Sequence, residues 1–205
     1  MPDDPNGRPP DPSQPAVSWS LVRDDPEIAA GLVDDGRTIE SNGLFRLRRE
    51  RFRSRASGRE HEFYIVEMAD GVIVVAVTPE REVVLVRQFR AGSRRDSLEP
   101  PGGLIDAGED PLVAAARELR EETGYAGDPA IRLGRVWMNP ALLTSRTHVV
   151  LVANARRVDE PRLDPSEEVE LVLVPAAEVP TMLRDGRVDH ALAALALMLW
   201  REFES

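Results

Sequence analysis

Arg117, Glu118, Glu121 and Glu122 stand within six residues in the middle of the chain. On a helix turning ~100° per residue, Glu118 and Glu122 fall one turn apart on one face, with Glu121 close by. Like charges gathered this closely favour a hard divalent cation. A donor set of carboxylate oxygens without Cys or His fits Mg²⁺ or Mn²⁺ rather than Zn²⁺. Magnesium keeps several waters and binds substrate phosphates, so the cluster suits metal-assisted attack of water on a phosphoanhydride. Arg117 lies near enough to limit the repulsion among the carboxylates.

The helix that positions these residues is readable from its ends. Asp110 is its N-cap with Pro111 at the first helical position, and Gly124 is its C-terminal glycine. Leu112, Ala115, Ala116 and Leu119 make a separate apolar stripe. Upstream, Glu99-Pro-Pro-Gly-Gly103 leads through a loop into the helix, and residues 72–77 and 83–89 are β-branched runs that read as two core strands, tightly joined. Residues 44–53 and 62–67 alternate apolar with polar and read as a hairpin turning at Ser57 and Gly58. Further strands are expected at residues 131–138, 148–154 and 169–174, followed by helical texture over 176–203 that breaks near Asp185 and Gly186. Strands around one central helix, with another at the end, predict an α/β (α+β) sandwich with a mixed sheet rather than a doubly wound one.

The chain of 205 residues, 42% hydrophobic, is long enough for one core and short for two independent domains. We expect residues 1–16, rich in Pro, Asp, Asn and Gly, to be disordered, 17–70 to form a β extension, and 71–205 to form the catalytic domain. All 26 basic residues are Arg, which removes Schiff-base chemistry and a phosphate-loop lysine. A formal net charge of -10 argues against a general nucleic-acid binder, whose basic face would displace counterions. Zero cysteines exclude disulfides, thiolate metal sites and a Cys nucleophile. No apolar run approaches a membrane span, and the acidic, Pro-rich start is unlike a signal peptide, so the expectation is a cytoplasmic protein with no membrane partner.

The segment from Gly103 to Tyr125 resembles the Nudix box: Gly, five residues, Glu, seven residues, Arg-Glu, apolar, any, Glu-Glu, any, Gly, apolar. Gly103, Glu109, Arg117, Glu118, Leu119, Glu121, Glu122, Gly124 and Tyr125 all fall in register. A merely solvated helix face would account for the charges but not for nine fixed positions. The resemblance implies a Nudix-type α/β/α sandwich and a metal-dependent pyrophosphohydrolase. It makes Glu118 and Glu122 the main metal ligands, with Glu121 assisting and Gly102 contributing its backbone carbonyl. Arg117 and Glu109 would orient the cluster.

Leu85-Val-Arg-Gln-Phe-Arg90 followed by Leu98-Glu-Pro-Pro-Gly-Gly103 resembles the strand and loop that precede the box in ADP-ribose and ADP-sugar pyrophosphatases. Pro140, fifteen residues after Tyr125, resembles the proline that marks the ADP-ribose subgroup, or else ends a strand in an ordinary turn. In those enzymes the N-terminal region reaches across a homodimer; the alternative is a private cover for the monomer's sheet. Arg87 and Arg90 are candidates for phosphate or adenine contacts. Being three apart on a strand, at most one enters the site, and Arg90 is preferred. The resembling enzymes take their catalytic base from a loop beyond the box. Here that loop is Arg162-Leu-Asp-Pro-Ser-Glu-Glu168, which makes Glu167 the first choice and Glu168 the second, unless both are solvated loop carboxylates. His61, His148 and His190 read as structural or exposed. The substrate implied is a nucleoside diphosphate sugar, with ADP-ribose giving AMP and ribose 5-phosphate. Alternatives are a GDP-sugar, NADH, a dinucleoside polyphosphate, or a sensor that binds ADP-ribose without cleaving it.

Overall fold

The computed structural model describes residues 19–21, 38–41, 43–163 and 168–205, with side chains from residue 43 onward. The tail expected to be disordered, residues 1–16, lies outside the described residues, and so does Glu167. The chain divides into two compact units, one ending at Glu67 and the other running over Met68–Ser205.

The first unit is a small antiparallel sheet of β1 (Trp19–Leu21), β2 (Thr38–Ser41), β3 (Arg46–Ser54) and β4 (Glu60–Glu67). β4 pairs with β3 along its length, from Arg46 opposite Glu67 to Arg53 opposite Glu60, while β1 and β2 share the other edge of β3. Gly58 adopts φ 69°, the left-handed region that lets the hairpin turn where the sequence predicts. Alternating Arg and Glu give cross-strand ion pairs such as Arg48 to Glu67 at 3.3 Å, and Phe52 meets Phe63 edge-on with centroids 5.6 Å apart.

In the second unit, β5 (Gly71–Val77), β6 (Glu82–Arg90), β10 (Ala130–Trp137), β11 (Arg146–Val152) and β13 (Val169–Pro175) form a mixed sheet in the order β10-β11-β5-β6-β13. Within that order only β5 and β11 run parallel. Every residue of β5 is buried, because both sheet faces are covered. Val72, Val74 and Ala76 pack with Ala114, Ala115 and Leu119 of α1 (Pro111–Thr123). Ile73, Val75 and Val77 belong to the opposite layer, with Met182 of α2 (Val179–Asp185) and Ala196, Leu197 and Trp200 of α3 (Ala191–Glu204). The result is the expected sandwich, with one helix on one face of the sheet and two on the other.

Three details differ from the sequence reading. The segment around the proline pair holds two short strands, β7 (Arg95–Glu99) on β6 and β8 (Gly102–Leu104) on β5, rather than an unpaired loop. β9 (Tyr125–Ala126) and β12 (Arg156–Arg157) add a further small pairing behind α1. On α1 the buried alanines are Ala114 and Ala115, with Ala116 exposed. The helix is rotated so that its buried side runs from Ala115 through Leu119 to Glu122, and the apolar stripe and the carboxylates overlap instead of lying apart. No helix among the described residues is long and apolar enough to cross a membrane.

Candidate active site

Local chemistry fixes α1 at both ends. The Asp110 carboxylate accepts the Leu112 amide at 2.8 Å, Pro111 opens the first turn, and Gly124 at φ 73° donates its amide to the Arg120 carbonyl at 2.9 Å. The helix therefore presents Glu118 and Glu122 in a constant register to β8. Glu122 is buried, and its Oε2 accepts the Gly102 amide at 3.0 Å. A Cβ on Gly103 would come within 2.5 Å of Glu118 Oε1, and one on Gly102 would run into the Val72 carbonyl oxygen. The glycine pair is what allows β8 to pass between β5 and the carboxylates.

Arg117 ties the remaining acidic residues together. Its Nε and Nη2 donate to Glu109 at 2.9 Å each, Nη2 also reaches the Leu104 carbonyl at 3.1 Å, and Nη1 donates to Glu118 at 2.8 Å and Glu121 at 3.2 Å. Hydrogen bonding to Glu109 raises the Arg117 pKa, with Glu118 and Glu121 adding to it; the same bond holds Glu109 below the usual carboxylate range. Glu109 accepts the Asp106 amide as well, at 3.0 Å, so the loop before the helix is held to the cluster.

Glu118, Glu121 and Glu122 offer only oxygen donors, two of them against the sheet, which fits a hard divalent cation and not zinc. Among the described residues, no three acidic or imidazole groups already converge as a ligand cage. The Gly102 amide engages Glu122, and Arg117 engages Glu118 and Glu121.

A cleft of about 230 Å³ opens beside the glycine pair, lined by Gly102, Gly103, Arg90, Glu99, Met138 and His190 among others. Glu99 is buried at its wall. Arg90 grips both of its oxygens, Nε to Oε1 at 2.8 Å and Nη2 to Oε2 at 2.9 Å, and His190 Nδ1 lies 2.8 Å from Oε2. Burial alone would raise the Glu99 carboxyl, but the hydrogen bonds and charge of Arg90, with His190 close beside it, outweigh that and hold it well below the usual carboxylate range.

The other residues singled out in the sequence are spread more widely. Arg87 does not line the cleft; it pairs with Glu170 across β6 and β13 at 2.9 Å. Pro140 sits in an exposed turn in which the Asn139 carbonyl accepts the Leu143 amide at 2.7 Å, and Met138 at the start of that turn reaches the cleft. Glu168 is exposed just ahead of β13. His61 is exposed on β4, and His148 Nε2 lies 3.5 Å from Asp70, its pKa lowered first by burial. Sequence reasoning passed over Glu99 and His190 as members of the cleft. Glu99 heads the Pro-Pro-Gly-Gly segment, but nothing in the spacing joins it to a histidine beyond the last strand.

Residues 68–194 match the family model described as the NUDIX domain. An ADP-ribose pyrophosphatase of Bacillus subtilis (strain 168) is 33% identical over 142 residues, 69% of this chain and 77% of that protein. An ADP-ribose pyrophosphatase of Mycobacterium tuberculosis (strain ATCC 25618 / H37Rv) is 30% identical over 167 residues, 78% of each chain. A solved structure of an ADP compounds hydrolase aligns with a TM-score of 0.75 over 93% of this chain and 96% of that one, at 23% identity, which shows the shared fold. With its box residues in register along α1 and β8, the chain belongs to the Nudix family, as a pyrophosphohydrolase similar to the family's ADP-ribose pyrophosphatases.

Proposed function

We propose that this enzyme hydrolyses the diphosphate of a nucleoside diphosphate linked to a second moiety, with ADP-ribose giving AMP and ribose 5-phosphate as its favoured reaction and Mg²⁺ or Mn²⁺ as its cofactor. The observation that carries this reading is the packing of Glu118 and Glu122 against Gly103 and Gly102, the two glycines that also line the cleft. The ADP-ribose pyrophosphatases of Bacillus subtilis and Mycobacterium tuberculosis among the relatives support the choice of substrate.

Glu118 and Glu122 would hold the cation, assisted by Glu121 and the Gly102 carbonyl. When bound, the cation neutralises the diphosphate and makes phosphorus more open to attack. Arg117 and Glu109 keep the carboxylates oriented, and Arg90, anchored by Glu99, offers its remaining N–H groups to the substrate. Glu167, or failing it Glu168, takes the proton of the attacking water. The water oxygen bonds to phosphorus as the bridging P–O bond breaks, and one phosphate ester departs with the electron pair. We further assign residues 17–70 to a homodimer interface and the protein to the cytoplasm.

A panel of ADP-ribose, ADP-glucose, GDP-mannose, NADH and diadenosine polyphosphates, assayed for nucleotide release, tests the reading. ADP-ribose should give the highest kcat/KM, with AMP as product. A clear preference for GDP-mannose or NADH would overturn the substrate, and tight binding of ADP-ribose without turnover would make the protein a sensor.

A further inference from the structure

Two segments distant in sequence meet at Glu99, whose side chain is only 3% exposed: the β6–β7 hairpin, which carries Arg90 and Glu99 itself, and His190 just ahead of α3. Arg90 already supplies a full countercharge and two hydrogen bonds, enough to compensate a buried carboxylate. His190 is therefore not needed to neutralise Glu99, and the contact acts in the other direction. Its Nδ1 is shut off from solvent 2.8 Å from Glu99 Oε2, close enough for electrostatic attraction but off the line of a hydrogen bond, while the side chain as a whole keeps 36% of its surface. With Nδ1 covered, the exposed surface belongs to the rest of the side chain, and His190 is among the residues lining the cleft. A carboxylate this close to one ring nitrogen holds the ring against the wall of the cleft and limits its rotamers.

We propose that His190 binds substrate, its Nε2 contacting a phosphate or hydroxyl oxygen of the nucleoside diphosphate derivative, and that Glu99 is the positioning residue that aims it. This rests on the cleft being the substrate site, as proposed above. Arg90 and His190 then form two arms on one buried anchor, reaching the same ligand from β6 and from the C-terminal layer.

The test uses the full chain with Mg²⁺ and reads three quantities: Kd for the non-hydrolysable α,β-methylene analogue of ADP-ribose, kcat and KM for ADP-ribose, and Tm. His190→Asn reaches only as far as Nδ1, so it preserves the contact with Glu99 and deletes Nε2. His190→Gln reaches as far as Nε2. We expect His190→Asn to raise Kd about tenfold or more, the size of one hydrogen bond to a charged group, with KM rising more than kcat falls. His190→Gln should stay within a few-fold of wild type, and both should keep Tm near the parent value. The inference is overturned if His190→Asn binds like wild type, if Gln is the weaker of the two, or if both lose binding and Tm together. A wild type that neither cleaves ADP-ribose nor binds the analogue brings down the substrate reading and this inference with it. A wild type that cleaves ADP-ribose beside an unaffected His190→Asn brings down this inference alone.

Discussion

The backbone of Gly103 runs so close to Glu118 that a Cβ there would sit 2.5 Å from the carboxylate. Gly103→Ala must therefore push either β8 or Glu118 aside. Because a displacement of about 1 Å in a catalytic group can cost about 10²-fold in rate, we expect kcat/KM to fall by that order while the fold survives. Full activity in Gly103→Ala would contradict the close approach.

Glu122→Gln keeps an oxygen able to accept the Gly102 amide but removes the charge that would hold a cation. Hydrolysis of ADP-ribose should drop by roughly 10²- to 10³-fold, and EDTA should abolish it in the parent enzyme. Parent activity that persists undiminished in EDTA would rule out the metal-dependent reading.

The loop ahead of β13 supplies the base in our mechanism. Glu167→Gln should lower kcat by about 10²- to 10⁴-fold with little change in KM, since metal and substrate binding do not need the proton acceptor. If both Glu167→Gln and Glu168→Gln turn over like the parent, the base comes from elsewhere.

Glu99 makes stability depend on pH in one direction. Its carboxyl titrates at about 4.3 in an unfolded chain and lower in the native state, so between those values the unfolded chain binds more protons. Its contribution is complete above about pH 5 and lost as the pH falls through the native value. Glu99→Gln should be less stable than the parent by about 1–3 kcal/mol at pH 7 in urea denaturation, with the gap narrowing in acid. A gap that stays constant down to about pH 3 would show that Glu99 is not held ionised by Arg90 and His190.

Assembly is tested by light scattering. The small sheet of the first unit exposes Tyr64, at 53%, and Phe63, at 40%, and we expect a dimer whose formation needs residues 17–70. An active monomer at micromolar concentration would refute it.

What could be read from the sequence was what depends on neighbours along the chain. Asp110, Pro111 and Gly124 delimit α1 because capping is a matter of a few adjacent residues, and the β-branched runs of β5 and β6 announce strands buried on both faces. The same local logic lined up Glu118, Glu121 and Glu122. It missed β7 because Arg-Asp-Ser-Leu-Glu carries a single apolar residue, and β8 because a glycine pair leaves no period of two; their pairing partners lie on β6 and β5. It assigned Ala116 to the core because helical spacing alone cannot say which of two adjacent stripes meets the sheet. It left His190 aside because a buried carboxylate partner ninety-one positions earlier leaves no trace in spacing.

The two-sided burial of β5 means that one strand of seven residues is a floor shared by two storeys with different tenants. Val74 and Ala76 support α1, so a methyl group added or removed there tilts the platform that carries Glu118 and Glu122. Val75, one step along, presses instead on the storey of Leu197 and Trp200, where no proposed ligand of the cation resides. Laboratory evolution of this enzyme should accordingly sort by storey, with turnover changing at Val74 and Ala76 and heat tolerance at Val75 and Val77, while Ile73, which lines the cleft, affects both.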